Sequence, residues 1–520
     1  MTYSWFAGNR GTATVVGLVL ILTFVVGAGA SWIPLVAVFI SAFFLCAAIS
    51  ICNPRFMVHL LIVVAFLAKP AFLPETVKVG PVGLYVYEVL LILTIIWIVL
   101  DGSSRLSGVS PAILLRKTGT PALLLGVFLL STALAGAQGY LRGVFLPILA
   151  TDMRGIADMA AGFCIALYLY FQENPKQYLR TFLWVVIASC AIIILAAATG
   201  IELQGRSEVA ELYRVGGGVL SGGTGAVRYL TPATLPALLV LCGCIAWLIQ
   251  GRRLSNTARV ALMSAVIVCF LSYSRYQIIA LAVSVTFSLI VVLVRRNFSA
   301  LPNFALKAAL VCGAVAFLIV PVISNFPAYR VVQENVDAYS TRVLSGLNPY
   351  TRANDSSTQD RVEENSLMLQ AIESAPLFGN GFGYAYKPAS GPASQFAANG
   401  GQYYGHNYYL WITMKAGLLG GLSFIGLIGV GIVRALKRSV YSIDSVVVGG
   451  CLSGIAATMV IAPLVNGYPS GLLFGSVLAL SVIGVKMINN VGANYETKPE
   501  SRSPELRDST DEDRTLRMQR

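Results

Sequence analysis

The sequence is poor in charge, and this shortage limits what kind of protein the chain can be. Only 12% of its 520 residues are charged, whereas 56% are apolar, and its mean hydropathy is +0.73. A soluble domain normally carries about twice that share of charge. Runs of about 20 apolar residues recur along the chain, each long enough to cross a hydrocarbon core of about 30 Å. The composition therefore excludes a soluble domain and predicts a polytopic helical membrane protein.

Residues that bind metals are equally scarce outside the apolar runs. Eight of the nine cysteines fall inside those runs and Cys52 directly follows one, and the chain has only two histidines. Cys242 and Cys244 are two residues apart, so on a helix they face different directions and cannot form a useful ligand pair. We therefore predict no metal and no cofactor. The net charge of +13 indicates basic loops on one side of a membrane, and we expect no nucleic-acid partner.

The apolar runs predict an all-α fold with about 12–14 transmembrane helices. Fourteen is the direct count; Lys69-Pro70 interrupts the third run and the sixth is weakly apolar, so twelve or thirteen stay open. The predicted spans are 13–30, 32–51, 57–73, 84–100, 120–136, 155–171, 180–199, 231–249, 258–273, 277–294, 304–323, 408–433, 444–463 and 468–488.

Basic residues predict the orientation of these spans. With the N-terminus inside, the short inner connections are consistently basic, as the positive-inside rule requires. Both termini are then cytoplasmic, in the inner (cytoplasmic) membrane of a bacterium. The predicted parts are a cytoplasmic N-terminus at 1–12, eleven spans in 13–323, a large extracytoplasmic loop at 324–407, three spans in 408–488 and a disordered cytoplasmic tail at 489–520.

The large loop is predicted to contain short helices. A loop of this length inside a membrane domain is usually functional or disordered. Residues Asp360–Ser374 have helical spacing, given by Val362, Leu367, Leu369 and Ile372, and Ser357 and Thr358 are candidate caps near the start. The glycine-rich segment that follows, 379–383, predicts a tight turn that directs the chain back toward His406.

Three basic side chains are predicted to meet at the outer face. His406 lies where the loop enters an apolar helix, Arg275 lies in a short turn between two spans, and Arg228 begins another span. A neutral imidazole can take a proton from a hydroxyl group, and guanidinium groups bind phosphate oxygens. The alternatives are a hydrogen-bonded interface histidine and arginines that reach lipid head groups.

Several motifs resemble those of the O-antigen ligase and polysaccharide polymerase superfamily. The resemblance covers about residues 228–435, and the first seven spans share only hydropathy with that family. The matching positions are His406-Asn407-Tyr408-Tyr409-Leu410, Ala416-Gly417-Leu418-Leu419-Gly420, Ser274-Arg275, Arg361, Pro376 and Gly379-Asn380-Gly381-Phe382-Gly383. Lys415 departs from the pattern, because the family often has a glutamate there.

The resemblance implies a metal-independent membrane glycosyltransferase that polymerises or ligates polysaccharide repeat units. Its donor would be a polyprenyl-diphosphate-linked oligosaccharide, and its acceptor a glycan, a lipid or a protein. His406 would be the catalytic base, and Arg275 and Arg228 would bind the diphosphate, with Arg214 as the alternative to Arg228. Further substrate contacts from the loop would come from Arg361, Asn407 and Tyr403.

A transporter or flippase of a lipid-linked glycan is the competing prediction. Transporters place polar residues near the middle of the membrane, and Glu88, Asp158 and Lys415 lie within or near predicted spans. The sequence has no evident internal repeat, which transporters often have. A loop that folds over Arg228 and Arg275 would favour transfer, whereas symmetry between the two halves would favour transport.

Overall fold

Helices make up most of the computed structural model. It describes residues 54–79, 82–105, 119–170, 176–209, 214–215, 218–219, 227–298, 301–302, 305, 328–340, 343, 356–388, 402–467 and 469–484. The predicted spans 13–30 and 32–51, nearly all of 304–323 and the predicted tail lie outside these residues. The total number of spans therefore stays a prediction.

Thirteen α-helices and six short strands lie within the described residues. The helices are α1 (Pro54–Phe66), α2 (Val86–Arg105), α3 (Thr120–Leu141), α4 (Leu146–Tyr170), α5 (Lys176–Thr199), α6 (Thr234–Ile249), α7 (Asn256–Leu271), α8 (Arg275–Arg295), α9 (Ala328–Tyr339), α10 (Ser356–Ser374), α11 (Tyr408–Ser439), α12 (Ile443–Thr458) and α13 (Ser470–Ile483). The strands form three antiparallel pairs: β1 (Thr76–Val79) with β2 (Val82–Tyr85), β3 (Arg206–Val209) with β6 (Val227–Leu230), and β4 (Arg214–Val215) with β5 (Gly218–Val219).

The predicted helical membrane fold is confirmed. Within the described residues, four helices are long and apolar enough to cross a membrane: α3, most of α5, α8 and α11. Six shorter apolar helices accompany them, in α1, α2, α6, α7, α12 and α13. The weakly apolar sixth run is a continuous helix of 25 residues, α4.

Small residues let several of these helices approach closely. A Cβ added to Gly162 of α4 would lie 1.9 Å from the carbonyl oxygen of Leu472, and one added to Gly475 of α13 would lie 1.9 Å from that of Met159. Helices in a membrane associate mainly through such packing, because lipid tails are as apolar as their side chains. The α4–α13 contact therefore needs glycine at both positions.

The helix predicted in the long loop is present as α10, but not all of its apolar residues are buried. Helix α10 begins four residues earlier than predicted, and both Val362 and Leu369 are exposed, at 65% and 49%. Its buried face instead carries Glu364, Met368 and Ala371, at positions i, i+4 and i+7. The apolar pattern misleads here because a buried carboxylate occupies the centre of the packed face.

Candidate active site

His406 is held at the start of α11 by a buried carboxylate. Nδ1 of the imidazole lies 2.8 Å from Oε2 of Glu364, and the backbone N–H of His406 donates to the same oxygen at 2.8 Å. The His406 side chain is 41% exposed, whereas that of Glu364 is 2% exposed. The ring is therefore fixed on its protein side and open on the other.

Glu364 is held in its ionised form by the groups around it. Its other oxygen, Oε1, lies 2.8 Å from Lys387 Nζ and 2.9 Å from the hydroxyl of Tyr386. Burial alone would raise the pKa of Glu364, but hydrogen bonds from the His406 ring, the charge of that ring when it is protonated, and a bond from Lys387 outweigh burial and lower that pKa to about 2. An ionised carboxylate only accepts hydrogen bonds, so Nδ1 of His406 carries the hydrogen. Nε2 is then the nitrogen that can accept a proton.

Arg228 is bound to the short turn that carries Arg275. Its Nε donates to the carbonyl oxygen of Ser272 at 3.0 Å, and its Nη2 lies 3.4 Å from Oγ of Ser274. Between these two serines, Tyr273 has a φ of 43°, a conformation that non-glycine residues rarely adopt. Arg228 therefore stabilises the turn that places Arg275 at the first position of α8.

The turn and His406 lie at the same end of the helix bundle, which we call the His406 end. Helices α8 and α12 are antiparallel, and Gly454 packs against the carbonyl group of Ala280. At 1.5 Å per helical residue, Arg275 on α8 and Met459 after α12 both lie about 7.5 Å beyond this contact. The carbonyl oxygen of Met459 accepts from the N–H of Tyr408, two residues after His406. The Ser272–Arg275 turn and the start of α11 therefore lie at the same end of these helices.

A helix of the long loop packs on the Arg275 turn. The hydroxyl of Tyr273 donates to Oδ1 of Asn335 in α9. Tyr339 of the same helix stacks on Phe270 with ring centroids 4.9 Å apart. Because α10 packs on α11 and supplies Glu364 to His406, the loop reaches both halves of the candidate site.

The glycine-rich turn docks on a break in α11. Gly417 has φ 72° and ψ −179°, which interrupts the helix and frees two carbonyl groups. The oxygen of Met414 accepts from the N–H of Asn380 at 2.9 Å, and that of Lys415 accepts from Gly381 at 3.0 Å. The tight turn predicted at 379–383 thus has positive φ at 379, 381 and 383 and forms hydrogen bonds to α11.

Gly417 is expected to be irreplaceable at this break. Its φ and ψ lie in a region that is almost exclusive to glycine, and a Cβ there would lie 2.1 Å from the carbonyl oxygen of Leu377. We expect Gly417→Ala to lower the free energy of unfolding by at least about 1–3 kcal/mol. Gly429→Ala, in the same helix, places its methyl more than 4 Å from the other parts of the chain that the structure describes, and it should not lower stability. Thermal unfolding of both variants in detergent checks this; equal melting temperatures would contradict it.

Lys415, the departure from the family pattern, forms a buried ion pair. Its Nζ lies 2.7 Å from Oδ2 of Asp152 on α4, and the two side chains are 0% and 1% exposed. Lys415 also donates to the carbonyl oxygen of Tyr384 at 2.9 Å, and Asp152 accepts from the N–H of Gly383 at 2.8 Å. The pair therefore binds the backbone of the loop as well as joining two helices.

The remaining predicted site residues have different surroundings. Asn407 caps α11 through Oδ1, which accepts from the N–H groups of Tyr409 and Leu410. Tyr403 accepts a bond from Trp411 through its carbonyl oxygen. Arg361 is partly buried on α10, three residues before Glu364, whereas the side chain of Arg214 on β4 lies outside the described residues.

Sequence reasoning missed Glu364, Lys387 and Asp152. Four acidic residues lie in α10, at 360, 363, 364 and 373, and nothing in their spacing separates position 364 from the rest. A usable signal was the i, i+4, i+7 pattern of Glu364, Met368 and Ala371, which places a carboxylate on a face of otherwise apolar residues. Asp152 and Lys415 were each recognisable as charges near apolar runs, but they lie too far apart in the chain to be paired by inspection.

A known protein family matches the part of the chain that contains Arg275, Glu364 and His406. A family model described as O-antigen ligase matches residues 260–425. The match begins in α7, includes Arg275, Glu364 and His406, and ends in α11 beyond the break at Gly417; Arg228 lies before it. A comparison with curated proteins returned no match.

Proposed function

Residues 260–425 relate this chain to the O-antigen ligase family, and on that premise we propose that it transfers glycan from a polyprenyl-diphosphate-linked donor. The family indicates a membrane enzyme of the ligase or polymerase type. The observation that carries the proposal is the pairing of His406 with the buried carboxylate of Glu364, at the same end of the bundle as Arg275. We further propose that this end faces outward from a bacterial inner membrane, with both termini cytoplasmic.

The diphosphate would bind near the start of α8. Arg275 occupies the first turn of this helix, where the helix dipole repels a cation and attracts an anion. A bound diphosphate would remove that repulsion and would accept bidentate hydrogen bonds from the guanidinium. Arg228 donates hydrogen bonds to Ser272 and Ser274, in the turn before α8. Its proposed role is to hold this turn so that Arg275 is positioned for the diphosphate.

His406 would act on the acceptor hydroxyl. Nε2 takes the hydroxyl proton as the acceptor oxygen forms a bond to the anomeric carbon of the donor. The bond from that carbon to the diphosphate oxygen breaks, and the diphosphate leaves with both electrons, stabilised by Arg275. Glu364 stabilises the imidazolium formed in this step, and His406 then releases its proton to solvent.

The contacts of the three polar candidates weaken the transporter alternative. Glu88 pairs with Arg154 at 2.7 Å, and Asp158 accepts from the hydroxyl of Tyr87 at 2.7 Å. Lys415 pairs with Asp152. These groups are bound to protein partners, whereas the loop packs on the Arg275 turn, which is the arrangement that favours transfer.

The fate of a labelled donor tests the proposal directly. Purified protein in proteoliposomes is given a lipid-diphosphate-linked oligosaccharide labelled in its sugar. We expect the label to pass to a longer glycan or another acceptor with release of lipid diphosphate, and the rate to be unchanged by EDTA, because no metal step is proposed. Movement of intact donor across the bilayer without release of diphosphate would instead support transport.

A further inference from the structure

The buried ion pair between Asp152 and Lys415 joins two helices and also forms hydrogen bonds to the backbone of the loop. Each member also binds one backbone group of the loop, the N–H of Gly383 and the carbonyl oxygen of Tyr384. The polarity is fixed: the carboxylate faces a donor and the ammonium faces an acceptor. Replacing a buried ion pair by apolar residues is often harmless to stability, so these added bonds call for a role of their own.

The loop segment held by this pair leads directly to the candidate base. Two and three residues after Tyr384, Tyr386 and Lys387 bind Oε1 of Glu364, at 2.9 and 2.8 Å. Oε2 of Glu364 in turn binds both the ring and the backbone of His406. An unbroken series of short hydrogen bonds and covalent links therefore connects the interior of the bundle to the imidazole.

We propose that Asp152 and Lys415 are positioning residues, which set the orientation of His406 by fixing the loop backbone at Gly383 and Tyr384. The inference rests on the proposed function for its catalytic readout. It predicts that the polarity of the pair toward the loop matters more than the charge pairing itself. Neither residue touches the reacting atoms, since both side chains are buried.

Two double variants separate these contributions. Asp152→Lys with Lys415→Asp keeps an ion pair but presents an ammonium to the Gly383 N–H and a carboxylate to the Tyr384 carbonyl. Asp152→Asn with Lys415→Gln removes both charges but keeps an acceptor for Gly383 and a donor for Tyr384. We expect the charge-swapped protein to lose at least tenfold in kcat with unchanged donor KM, and the neutral protein to stay within about threefold of wild type.

Melting temperatures, measured beside kcat, separate an effect on folding from an effect on catalysis. If the charge-swapped protein melts and transfers glycan like wild type, the polarity of the pair toward the loop has no role and the proposal is wrong. If it does not fold, Asp152→Leu with Lys415→Met decides, because it removes both bonds to the loop without leaving a buried unpaired charge. A folded protein of this kind that has lost kcat at least tenfold supports the proposal, and one within threefold of wild type overturns it.

Chemical modification of His406 needs no transfer activity. In a His59→Asn background, His406 is the chain's only histidine, and its rate of reaction with diethyl pyrocarbonate reports the freedom of the ring. We expect faster modification in the charge-swapped protein and an unchanged rate in the neutral one. Equal rates in all three would contradict positioning, even if the proposed transfer reaction itself were not found. Suppose that modification is faster in the charge-swapped protein and unchanged in the neutral one, but that the wild-type protein does not transfer glycan. That result would contradict only the proposed function.

Discussion

Replacing His406 by asparagine is expected to lower the rate of glycan transfer by about 100- to 10,000-fold, the usual contribution of a general base. The side-chain amide of asparagine can still donate a hydrogen bond to Glu364, but it cannot take a proton from the acceptor hydroxyl. Because only the chemical step is affected, donor KM should change little. The measurement is the initial rate of label transfer by purified protein, with donor and acceptor both varied.

The chain provides a matched control for this variant. His59, its only other histidine, lies on α1, where Nδ1 is 2.8 Å from Oγ1 of Thr181 and the ring stacks on Tyr178. Both partners of His59 lie in the first two turns of α5, whereas Glu364, the partner of His406, lies in α10. His59→Asn should therefore retain wild-type transfer. Full activity of the His406 variant, or equal losses in both variants, would rule out a specific role for His406.

Replacing Arg275 by alanine is expected to lower kcat/KM by about 100- to 1,000-fold, as the loss of a group that stabilises developing negative charge usually does. The guanidinium is proposed to bind the diphosphate both before and during its departure, so donor affinity should fall as well. Arg275→Lys keeps a positive charge but loses the planar pair of donors, and it should recover only part of the loss. Transfer rates at several donor concentrations separate the two effects.

Arg259 provides the control for loss of an arginine. It is exposed near the start of α7, at the opposite end of that helix from the Ser272–Arg275 turn. Arg259→Ala should leave transfer unchanged. An Arg275→Ala protein that folds normally and retains wild-type kcat/KM would exclude the proposed diphosphate site.

Topology made the coarse arrangement of the site predictable from sequence. Alternation of apolar spans puts Arg228, Arg275 and His406 at one end of a bundle, and the structure has Arg228 bound to the turn beside Arg275. The turn at 379–383 was predictable because three alternating glycines allow positive φ in succession. These features depend on local chemistry and on a simple count of membrane crossings.

Contacts between distant polar residues were not predictable in this way. Glu364 lies in a helix whose apolar residues suggested a different buried face, since Val362 and Leu369 are exposed. The Asp152–Lys415 pair joins residues 263 positions apart. A single sequence contains no signal for such a pairing, because the energetic reason for it, the avoidance of an unpaired buried charge, arises only once the helices have packed.

Donor binding and donor cleavage, measured on the same protein samples, test the central claim that Arg275 and His406 act on one substrate. Wild type, His406→Asn and Arg275→Ala are compared for equilibrium binding of a labelled lipid-diphosphate-linked oligosaccharide and for release of lipid diphosphate in a single turnover. We expect His406→Asn to bind the donor with wild-type affinity but release almost no diphosphate, and Arg275→Ala to bind at least tenfold more weakly. Wild-type donor affinity in Arg275→Ala, together with wild-type release in His406→Asn, would contradict the account.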